Sequence, residues 1–319
     1  GGAASAHPAV VLDRRGGLSR PVTPPCSPSA LCLDPAMRSE PIADLHDPRI
    51  DDYRNLKDAT LASSRHRFIV EGRGNLLVLL SSSSHRPASI LLSRRTFDGL
   101  AADLERLAPD CPIYVAEQAL LDAIVGYPIH RGCLAACDRG AARDALGLVD
   151  EILSERPAAR FVLLEGLTNH DNVGGIFRNA MALGADAVLL CPRCCDPLYR
   201  KAVRTSMGGV LVVPFAQAED LGRLLDGLRA RGVEVLALDP GEPGEDLAAM
   251  GEAPAGPVAL LLGTEGPGLT QEALARADRR VRIAMRPGVD SLNVAVAAGI
   301  ALHRLFRPAE TSPVGGHCG

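Results

Sequence analysis

The chain has 319 residues and a formal net charge of −4, with 47% hydrophobic, 23% charged and only 3% aromatic residues. This length allows two domains with separate cores, and the apolar and charged fractions are those of ordinary globular proteins. With so few aromatic side chains, the chain is poorly supplied with stacking platforms for single-stranded bases.

The first residues differ in composition from everything that follows. Gly, Pro, Ser and Ala dominate residues 1–36, and no apolar period develops there. Met37 is the first methionine, so we expect translation to begin there and the preceding stretch to be a non-native extension. We therefore assign residues 1–47 to a disordered or non-native extension and leader.

Residues 48–140 alternate strand-like and helix-like patterns, which indicates a small layered α/β domain. Strands are predicted at 68–70, 89–92, 113–115 and 132–136, and helices at 72–80, 97–107 and 117–125. Between Arg65 and Arg95 there are six arginines and one acid, Glu71. Such a local basic run suits phosphate contact, although a solvated surface explains it as well.

The carboxyl-terminal half opens with a segment from Asp138 to Pro157 that predicts a linker helix, ending at Arg156 because the residue before a proline avoids the helical region. We assign residues 141–157 to a linker, 158–309 to a second domain and 310–319 to a flexible tail. Near-continuous apolar runs such as 258–262 are typical of a parallel sheet buried on both faces. Strands are predicted at 161–166, 187–191, 210–213, 234–238, 258–262 and 280–285, with a terminal helix over 292–306.

The nine cysteines do not form a metal or disulfide framework. One C-x-x-C is present, Cys191-Pro-Arg-Cys194, but no second C-x-x-C or histidine pair follows to complete a zinc site. No run approaches the roughly 18 apolar residues of a membrane helix, and no signal peptide opens the chain. We expect reduced thiols, no metal, no membrane partner and a cytoplasmic setting.

Three glycine-punctuated segments each close an apolar strand-like run. They are Asn172-Val-Gly-Gly-Ile-Phe-Arg178, Leu262-Gly-Thr-Glu-Gly-Pro-Gly268, and Ser291-Leu-Asn293 leading into Ala295-Val-Ala-Ala-Gly299. Open α/β sheets bind ligands at the carboxyl ends of their strands, where such turns expose backbone groups. Three of these edges in one domain predict one composite site. The second segment lacks the Gly-Lys-Ser/Thr ending of a P-loop, which argues against a triphosphate.

The order and the amino-acid sequences of these segments resemble the motifs of the SpoU/TrmH branch of the SPOUT methyltransferases, over roughly residues 160–307. The resemblance implies methylation of a ribose 2′-hydroxyl in RNA by S-adenosylmethionine, a mostly parallel α/β domain with a trefoil knot, and a homodimer through that domain. Phe68-Ile-Val-Glu-Gly72 and Ile129-His-Arg-Gly132 resemble, more loosely, the RNA substrate-binding domain of rRNA-directed relatives. Ribosomal RNA is therefore the preferred substrate, with transfer RNA as the alternative.

By the same resemblance, Arg178 contacts the RNA phosphate with support from Asn172, Glu265 stands at the catalytic edge, and Ser291 and Asn293 face the cleft. From the residues alone, Asn172 and Ser291 are equally well explained as helix N-caps, and Arg178 as one half of a surface ion pair. Because guanidinium keeps its proton above pH ~12, we expect Arg178 to clamp phosphate rather than act as a base. The resemblance assigns the methyl donor to Leu262, Gly263, Thr264, Gly268, Ile283, Met285 and Leu292.

A second basic cluster follows the first motif, and phosphate contact or a solvated helix face explains it about equally well. The predicted RNA contacts from the two clusters are Arg65, Arg67, Arg73, Arg200, Lys201 and Arg204. A noncatalytic RNA-binding protein remains an alternative function. A dinucleotide-dependent oxidoreductase is a weaker one, since Leu164-Glu-Gly166 and Val173-Gly-Gly175 do not have G-x-G-x-x-G spacing.

Overall fold

The computed structural model describes residues 39–54, 67–129, 132–251 and 254–306. Residues 1–38 of the expected extension, the expected tail at 310–319 and Arg65, one of the predicted RNA contacts, lie outside these ranges. Two sheets carry the described fold, a five-stranded sheet in the amino-terminal half and a seven-stranded sheet in the carboxyl-terminal half. Within the described residues, no helix combines the length and the apolar character needed to cross a bilayer.

The five-stranded sheet has the order β1-β4-β3-β5-β2 and contains parallel and antiparallel neighbours. The sequence predicts every strand except the first, which lies within the expected leader 1–47 and pairs with β4. A four-residue edge strand that contains a proline has too little period to be recognised. The strands are β1 Ser39–Ile42, β2 Arg67–Glu71, β3 Pro87–Ser93, β4 Ile113–Ala116 and β5 Cys133–Asp138.

Among the described residues, the helices around this sheet are a 3₁₀ turn at Pro48–Tyr53 and four α-helices. The predicted helix at 97–107 is two helices, because the N–H of Gly99 bonds back to Arg95 and Phe97 and ends the first of them. Leu100 then starts the second and is buried. The α-helices are α1 Arg73–Ser82, α2 Arg94–Asp98, α3 Ala101–Leu107 and α4 Gln118–Val125.

The seven-stranded sheet has the order β10-β12-β9-β11-β6-β7-β8, and all its neighbouring strands are parallel. The parallel α/β fold that the sequence predicts is thus confirmed, while the trefoil knot stays a prediction. Four adjacent strands, β12, β9, β11 and β6, end side by side at one carboxyl edge. The strands are β6 Arg160–Leu164, β7 Ala187–Leu190, β8 Phe215–Gln217, β9 Glu234–Leu238, β10 Glu245–Asp246, β11 Val258–Leu262 and β12 Arg279–Arg282.

One predicted strand of this sheet is wrong, because residues 210–213 are largely helical. Gly208 has a left-handed φ of 91° and caps the short helix Gly209–Val212, so the strand comes afterwards as Phe215–Gln217. A Cβ at Gly209 would lie 2.6 Å from the carbonyl oxygen of Phe177. Close packing against a neighbouring helix has therefore overridden the β preference of the valines.

The helices of this half are α5 Ala145–Glu155, α6 His170–Leu183, α7 Arg200–Thr205, α8 Gly209–Val212, α9 Leu221–Ala230, α10 Gln271–Arg276 and α11 Val294–Leu305. Helix α5 ends at Glu155, with Arg156 as its C-cap, close to the predicted end at Arg156. Rather than spanning a gap as a linker, it buries Leu148 and Val149 in the same apolar cluster as Phe161 and Leu228. It is thus part of the packing of the seven-stranded sheet.

Successive side chains of the central strands point to opposite faces of the sheet, and both faces are buried, so the sequences of these strands are almost entirely apolar. On β6, Val162 and Leu164 join one core cluster while Phe161 and Leu163 join the cluster on the opposite face. Strand β11 alternates in the same way, and all five of its residues are buried. Both faces of the sheet are therefore covered, as the apolar runs predict.

Helices α6 and α11 approach each other through small residues. A Cβ at Gly175 would lie 2.9 Å from the Cβ of Ala295, and one at Gly299 would lie 3.1 Å from the amide nitrogen of Asn179. That amide donates to the carbonyl oxygen of Ala295 at 2.7 Å. The small residues of the third motif therefore bring α11 against the helix of the first motif, which places the two motifs side by side.

Candidate active site

A pocket of about 120 Å³ lies at the carboxyl ends of β9, β11 and β12. All seven residues predicted to hold the methyl donor line it, together with the predicted catalytic residues Glu265 and Ser291. Asp239 and Pro240, which follow β9, also line the pocket, and no motif in the sequence predicted them. An aspartate that follows an apolar strand in this sheet could have identified this edge. The second and third glycine-punctuated segments therefore line one pocket, whereas no residue of the first segment lines it.

The loop after β11 comes close to itself, and its glycines make this possible. A Cβ at Gly263 would lie 2.5 Å from the carbonyl carbon of Gly268, a distance that real Cβ atoms do not reach. Gly266 and Gly268 have φ values of 87° and 71°, which L side chains rarely adopt. The N–H of Gly268 donates to the carbonyl oxygen of Thr264 at 3.2 Å. The loop therefore lines the pocket with tightly folded main chain.

A buried carboxylate, Glu165, ties this loop to the end of β6. Glu165 is 2% exposed and accepts hydrogen bonds from the N–H of Thr270 at 3.0 Å and from its hydroxyl at 2.8 Å. The hydroxyl of Thr270 in turn caps α10. The guanidinium of Arg193 lies 3.4 Å from the carboxylate. Glu165 is a functional candidate, and in the sequence it stands out only within the weak dinucleotide pattern Leu164-Glu-Gly166.

Three of the predicted catalytic residues form a hydrogen-bonded chain. The side-chain amide of Asn293 donates to Asn172 Oδ1 at 2.9 Å and to Glu265 Oε1 at 2.8 Å. Asn172 is only 6% exposed, whereas the other two residues are exposed. One residue from each of the three motifs is therefore present in a single polar chain, and Glu265 belongs both to this chain and to the pocket.

Two capping interpretations are wrong. Asn169, not Asn172, caps α6, and its side chain accepts from the N–H of Asp171. Asn293, not Ser291, caps α11, with its Oδ1 accepting from Ala295 and Val296. Asn172 is therefore free to accept from Asn293, and a plain N-cap does not explain it.

Arg178 lies on α6, the helix that carries Asn172, but it does not line the pocket. Its side chain is exposed and makes no hydrogen bond or ion pair with any residue that the structure describes. The alternative of a surface ion pair therefore finds no partner in those ranges. An exposed guanidinium remains available for an anionic ligand.

The neighbouring His170 and Asp171 do not form an acid–base pair. Asp171 pairs with Lys201 at 2.7 Å, and the His170 ring packs on Tyr199 with its centroid 4.3 Å away. Partial burial lowers the pKa of His170. The dipeptide is accordingly held by local contacts.

Several predicted RNA contacts are already paired within the protein. Arg67 lies between Asp52 and Asp138, at 2.5 and 2.9 Å. Lys201 is paired with Asp171. Arg73 is exposed and donates to the carbonyl oxygen of Gly99 at 3.2 Å. Arg73 lines a surface groove with two further exposed arginines from the same basic run, Arg94 and Arg95.

Arg200 joins the two sheets rather than facing solvent. Its guanidinium bonds to Glu71 on β2 at 2.9 Å and to the hydroxyl of Tyr127, and it lies 4.7 Å from the Tyr127 ring centroid. Its side chain is only 19% exposed, and that of Glu71 only 11%. Burial raises the pKa of Tyr127 to about 12. Arg204 lies 4.0 Å from the same glutamate. The RNA-binding prediction for Arg200 is thus replaced by a structural one.

The arrangement is that of an α/β protein with a ligand pocket at the carboxyl edge of a parallel sheet. Residues 159–303 match the SpoU rRNA Methylase family. A Mycobacterium tuberculosis protein described as an uncharacterized tRNA/rRNA methyltransferase is 37% identical over 273 residues, which cover 83% of this chain and 91% of that protein. The chain therefore belongs to the SpoU rRNA methylase family and is an RNA methyltransferase.

Solved structures share the fold. An rRNA methyltransferase from Sinorhizobium meliloti with bound AdoMet superposes with a TM-score of 0.69 at 23% identity, covering 84% of this chain and 97% of that one. An RNA 2′-O ribose methyltransferase superposes with a TM-score of 0.64 at 24% identity, covering 83% and 98%. The fold extends over both sheets in these comparisons, since the coverage exceeds the carboxyl-terminal half alone.

Proposed function

We propose that this protein transfers a methyl group from S-adenosylmethionine to a ribose 2′-hydroxyl of RNA, and that the RNA is ribosomal. The observation that carries the proposal is the polar chain Asn172–Asn293–Glu265 at the edge of the pocket lined by Gly263 and Met285. These three hydrogen-bonded side chains come from the three motifs and lie beside the region where a donor would bind. AdoMet bound to a protein of the same fold supports this choice of donor.

The residues present fit such a donor. Because Gly263 has no Cβ, its backbone packs directly against the backbone of Gly268. The pocket is also lined by apolar side chains such as Leu262, Ile283 and Met285. Backbone groups would hold the polar parts of the donor and these side chains its apolar surface. When bound, the donor supplies an electrophilic methyl carbon on a sulfonium, and this chemistry requires no metal.

The protein's own part is to position the sugar and to manage one proton. Arg178 clamps the phosphate next to the target ribose and stabilises negative charge as the 2′-hydroxyl loses its proton. Asn293 holds the Glu265 carboxylate in place at the pocket edge. Fixing the attacking oxygen relative to the methyl carbon supplies much of the rate acceleration in a single displacement.

The RNA surface that we propose is the groove lined by Arg73, Arg94 and Arg95 on the five-stranded sheet. In this proposal, that sheet presents RNA to the seven-stranded sheet, and the predicted boundary at residue 48 moves back to include β1 at Ser39–Ile42. Clustered guanidinium groups attract the phosphate backbone without base specificity. This keeps the proposed division into an RNA-binding and a catalytic domain.

A homodimer through the carboxyl-terminal domain is part of the proposal. Val296 and Ile300 lie one turn apart on α11 and are 54% and 43% exposed, and Met181 on the adjacent α6 is 37% exposed. Exposed apolar side chains on two packed helices suit a protein interface. A trefoil knot in this domain and a cytoplasmic setting complete the proposal.

The test is transfer of tritiated methyl groups to total RNA, followed by digestion and chromatography of the nucleosides. We expect label in 2′-O-methylated ribose from the wild-type protein. We expect none from Arg178→Ala, whose donor binding, measured by equilibrium dialysis, stays within about twofold of the wild type because Arg178 lies outside the pocket. Label in a base would refute the 2′-O assignment. Donor binding without transfer to any RNA would favour the noncatalytic alternative.

A further inference from the structure

The C-x-x-C segment at the carboxyl end of β7 is not used by the proposed reaction. Cys191 and Cys194 are 1% and 8% exposed, and their sulfur atoms lie 3.8 Å apart. The N–H of Cys194 donates to the carbonyl oxygen of Cys191 at 3.1 Å, which closes a tight turn around Pro192 and Arg193. The two thiols are thus held face to face by the backbone.

The surroundings of the two sulfur atoms differ. Cys191 Sγ accepts a hydrogen bond from the N–H of Gly166 at 3.1 Å, whereas Cys194 Sγ donates to the carbonyl oxygen of Leu164 at 3.2 Å. Contact with the Cys194 sulfur lowers the pKa of Cys191, with further help from backbone N–H groups. The same contact raises the pKa of Cys194. These surroundings favour the thiolate of Cys191 over that of Cys194, and thiolates are the reactive form of cysteine.

Other described cysteines lack this arrangement. Burial raises the pKa of Cys133 to about 12 and that of Cys195 to about 11. In the described ranges, no third His, Cys, Asp or Glu joins Cys191 and Cys194 in a group that could hold a metal. A pair of one activated and one protonated thiol suits two-electron oxidation better than metal binding.

We propose that Cys191 and Cys194 form a redox-active dithiol that hydrogen peroxide converts to an intramolecular disulfide, and that the disulfide weakens binding at the adjacent donor pocket. The Cys191 thiolate attacks one peroxide oxygen, which forms a sulfenic acid and releases hydroxide. Cys194 then attacks the Cys191 sulfur, its proton leaves with the sulfenic hydroxyl as water, and the S–S bond forms. Two electrons pass from the dithiol to one peroxide, which is a small enough oxidant for a site with so little exposure.

The link from the dithiol to the pocket runs through the end of β6. A disulfide requires the sulfur atoms to approach from 3.8 Å to about 2.05 Å, so the contacts with Gly166 and Leu164 cannot both persist. Glu165 lies between these two residues and holds Thr270, the residue that ends the glycine-rich loop of the pocket. A shift of this strand end therefore displaces the loop. This second part of the inference rests on the proposed function.

Peptide mapping tests the disulfide without any assay of activity. The full-length reduced protein is treated with hydrogen peroxide, blocked with iodoacetamide and digested with trypsin without reductant. Trypsin cuts after Arg193, so the disulfide links peptide 179–193 to peptide 194–200. We expect the linked pair in the wild type and in Cys195→Ser, and its loss in Cys191→Ser and Cys194→Ser. Fully alkylated, unlinked peptides, or a link that survives in Cys194→Ser, would overturn the proposal.

Equilibrium dialysis with S-adenosylmethionine tests the effect on the pocket. We expect oxidised wild-type protein to bind about tenfold more weakly than reduced protein, which corresponds to about one lost hydrogen bond. Oxidised Cys194→Ser should bind as its reduced form does. Equal affinity of oxidised and reduced wild type would overturn the coupling. Failure of the reduced protein to bind the donor would instead refute the proposed function, and the peptide map would still decide the disulfide.

Discussion

The donor pocket and the junction between the two sheets are held together in different ways. In the pocket, main chain packs on main chain, and a Cβ at Gly263 would lie 2.5 Å from the Gly268 carbonyl carbon. At the junction, long side chains are held by charge, as Arg200 is by Glu71. Packed backbone accepts no added atom, whereas an ion pair accepts a substitute that keeps the charge. The two regions should therefore respond differently to conservative and non-conservative substitutions.

The largest effect should come from Gly263→Ala. The added methyl group cannot fit beside Gly268, so the loop must move, at a cost of about 3 kcal/mol in the free energy of unfolding and with loss of donor binding. Urea denaturation and equilibrium dialysis measure the two quantities. Gly74→Ala is the matched control, because a Cβ there meets nothing within 4 Å. Equal donor binding by Gly263→Ala and this control would show that the loop accommodates the added methyl group without disturbing the pocket.

Arg200→Ala should have the next largest effect, at the junction between the sheets. The substitution leaves the Glu71 carboxylate with only a distant Arg204 and the Tyr127 hydroxyl as partners. We expect the free energy of unfolding, measured by urea denaturation, to fall by about 2 kcal/mol, because Arg200 and Glu71 both retain some solvent contact. Arg200→Lys keeps the charge and should restore at least half of the loss. Equal destabilisation by the two variants would show that packing on Tyr127, rather than charge, holds the junction.

The same contrast explains what could be predicted from the sequence. Each predicted donor contact follows from a motif in which glycine and the end of a strand lie within a few residues, and all seven predicted positions line one pocket. The state of an arginine depends instead on acids far away in the chain, as Arg200 depends on Glu71 and Arg67 on Asp52. A basic run in a sequence therefore identifies positively charged side chains, but it does not show which of them are free of ion pairs within the protein.

Strand prediction has the same limit. The central strands are apolar on both faces and were recognisable from that pattern alone, with 234–238 and 258–262 matching the observed bounds. The segment 210–213 is equally apolar, but Gly208 and Gly209 allow it to turn against Phe177 as a helix. Local propensity cannot include a contact between Gly209 and Phe177, which lies about thirty residues earlier. Glu165 was missed for a similar reason, because its partner Thr270 is distant in sequence.

A smaller effect on stability, combined with a large effect on catalysis, is expected from Asn293→Ala. Loss of the α11 cap should cost about 1 kcal/mol in the free energy of unfolding. Loss of the amide that joins Asn172 and Glu265 should reduce kcat at least tenfold while KM for the donor changes little. Asn293→Ser keeps a capping oxygen but has no amide, so it should restore stability and not kcat. Recovery of kcat in the serine variant would assign Asn293 a structural role only.

The smallest expected effect is on the salt dependence of RNA binding, and it should differ between exposed arginines and ion-paired arginines around the five-stranded sheet. Arg94 is exposed and lines the groove, so Arg94→Ala should reduce the salt dependence of RNA binding by about one unit in the slope of log K against log salt. Arg67→Ala is the matched control, because its guanidinium is bonded to Asp52 and Asp138 and has no charge to give to phosphate. Filter binding with ribosomal RNA fragments at several salt concentrations measures both slopes. We expect only the Arg94 variant to change the slope. A change of the same size in the Arg67 variant would mean that the ion pairs of Arg67 open when RNA binds. Paired arginines on this surface would then be as available to phosphate as the sequence alone suggests.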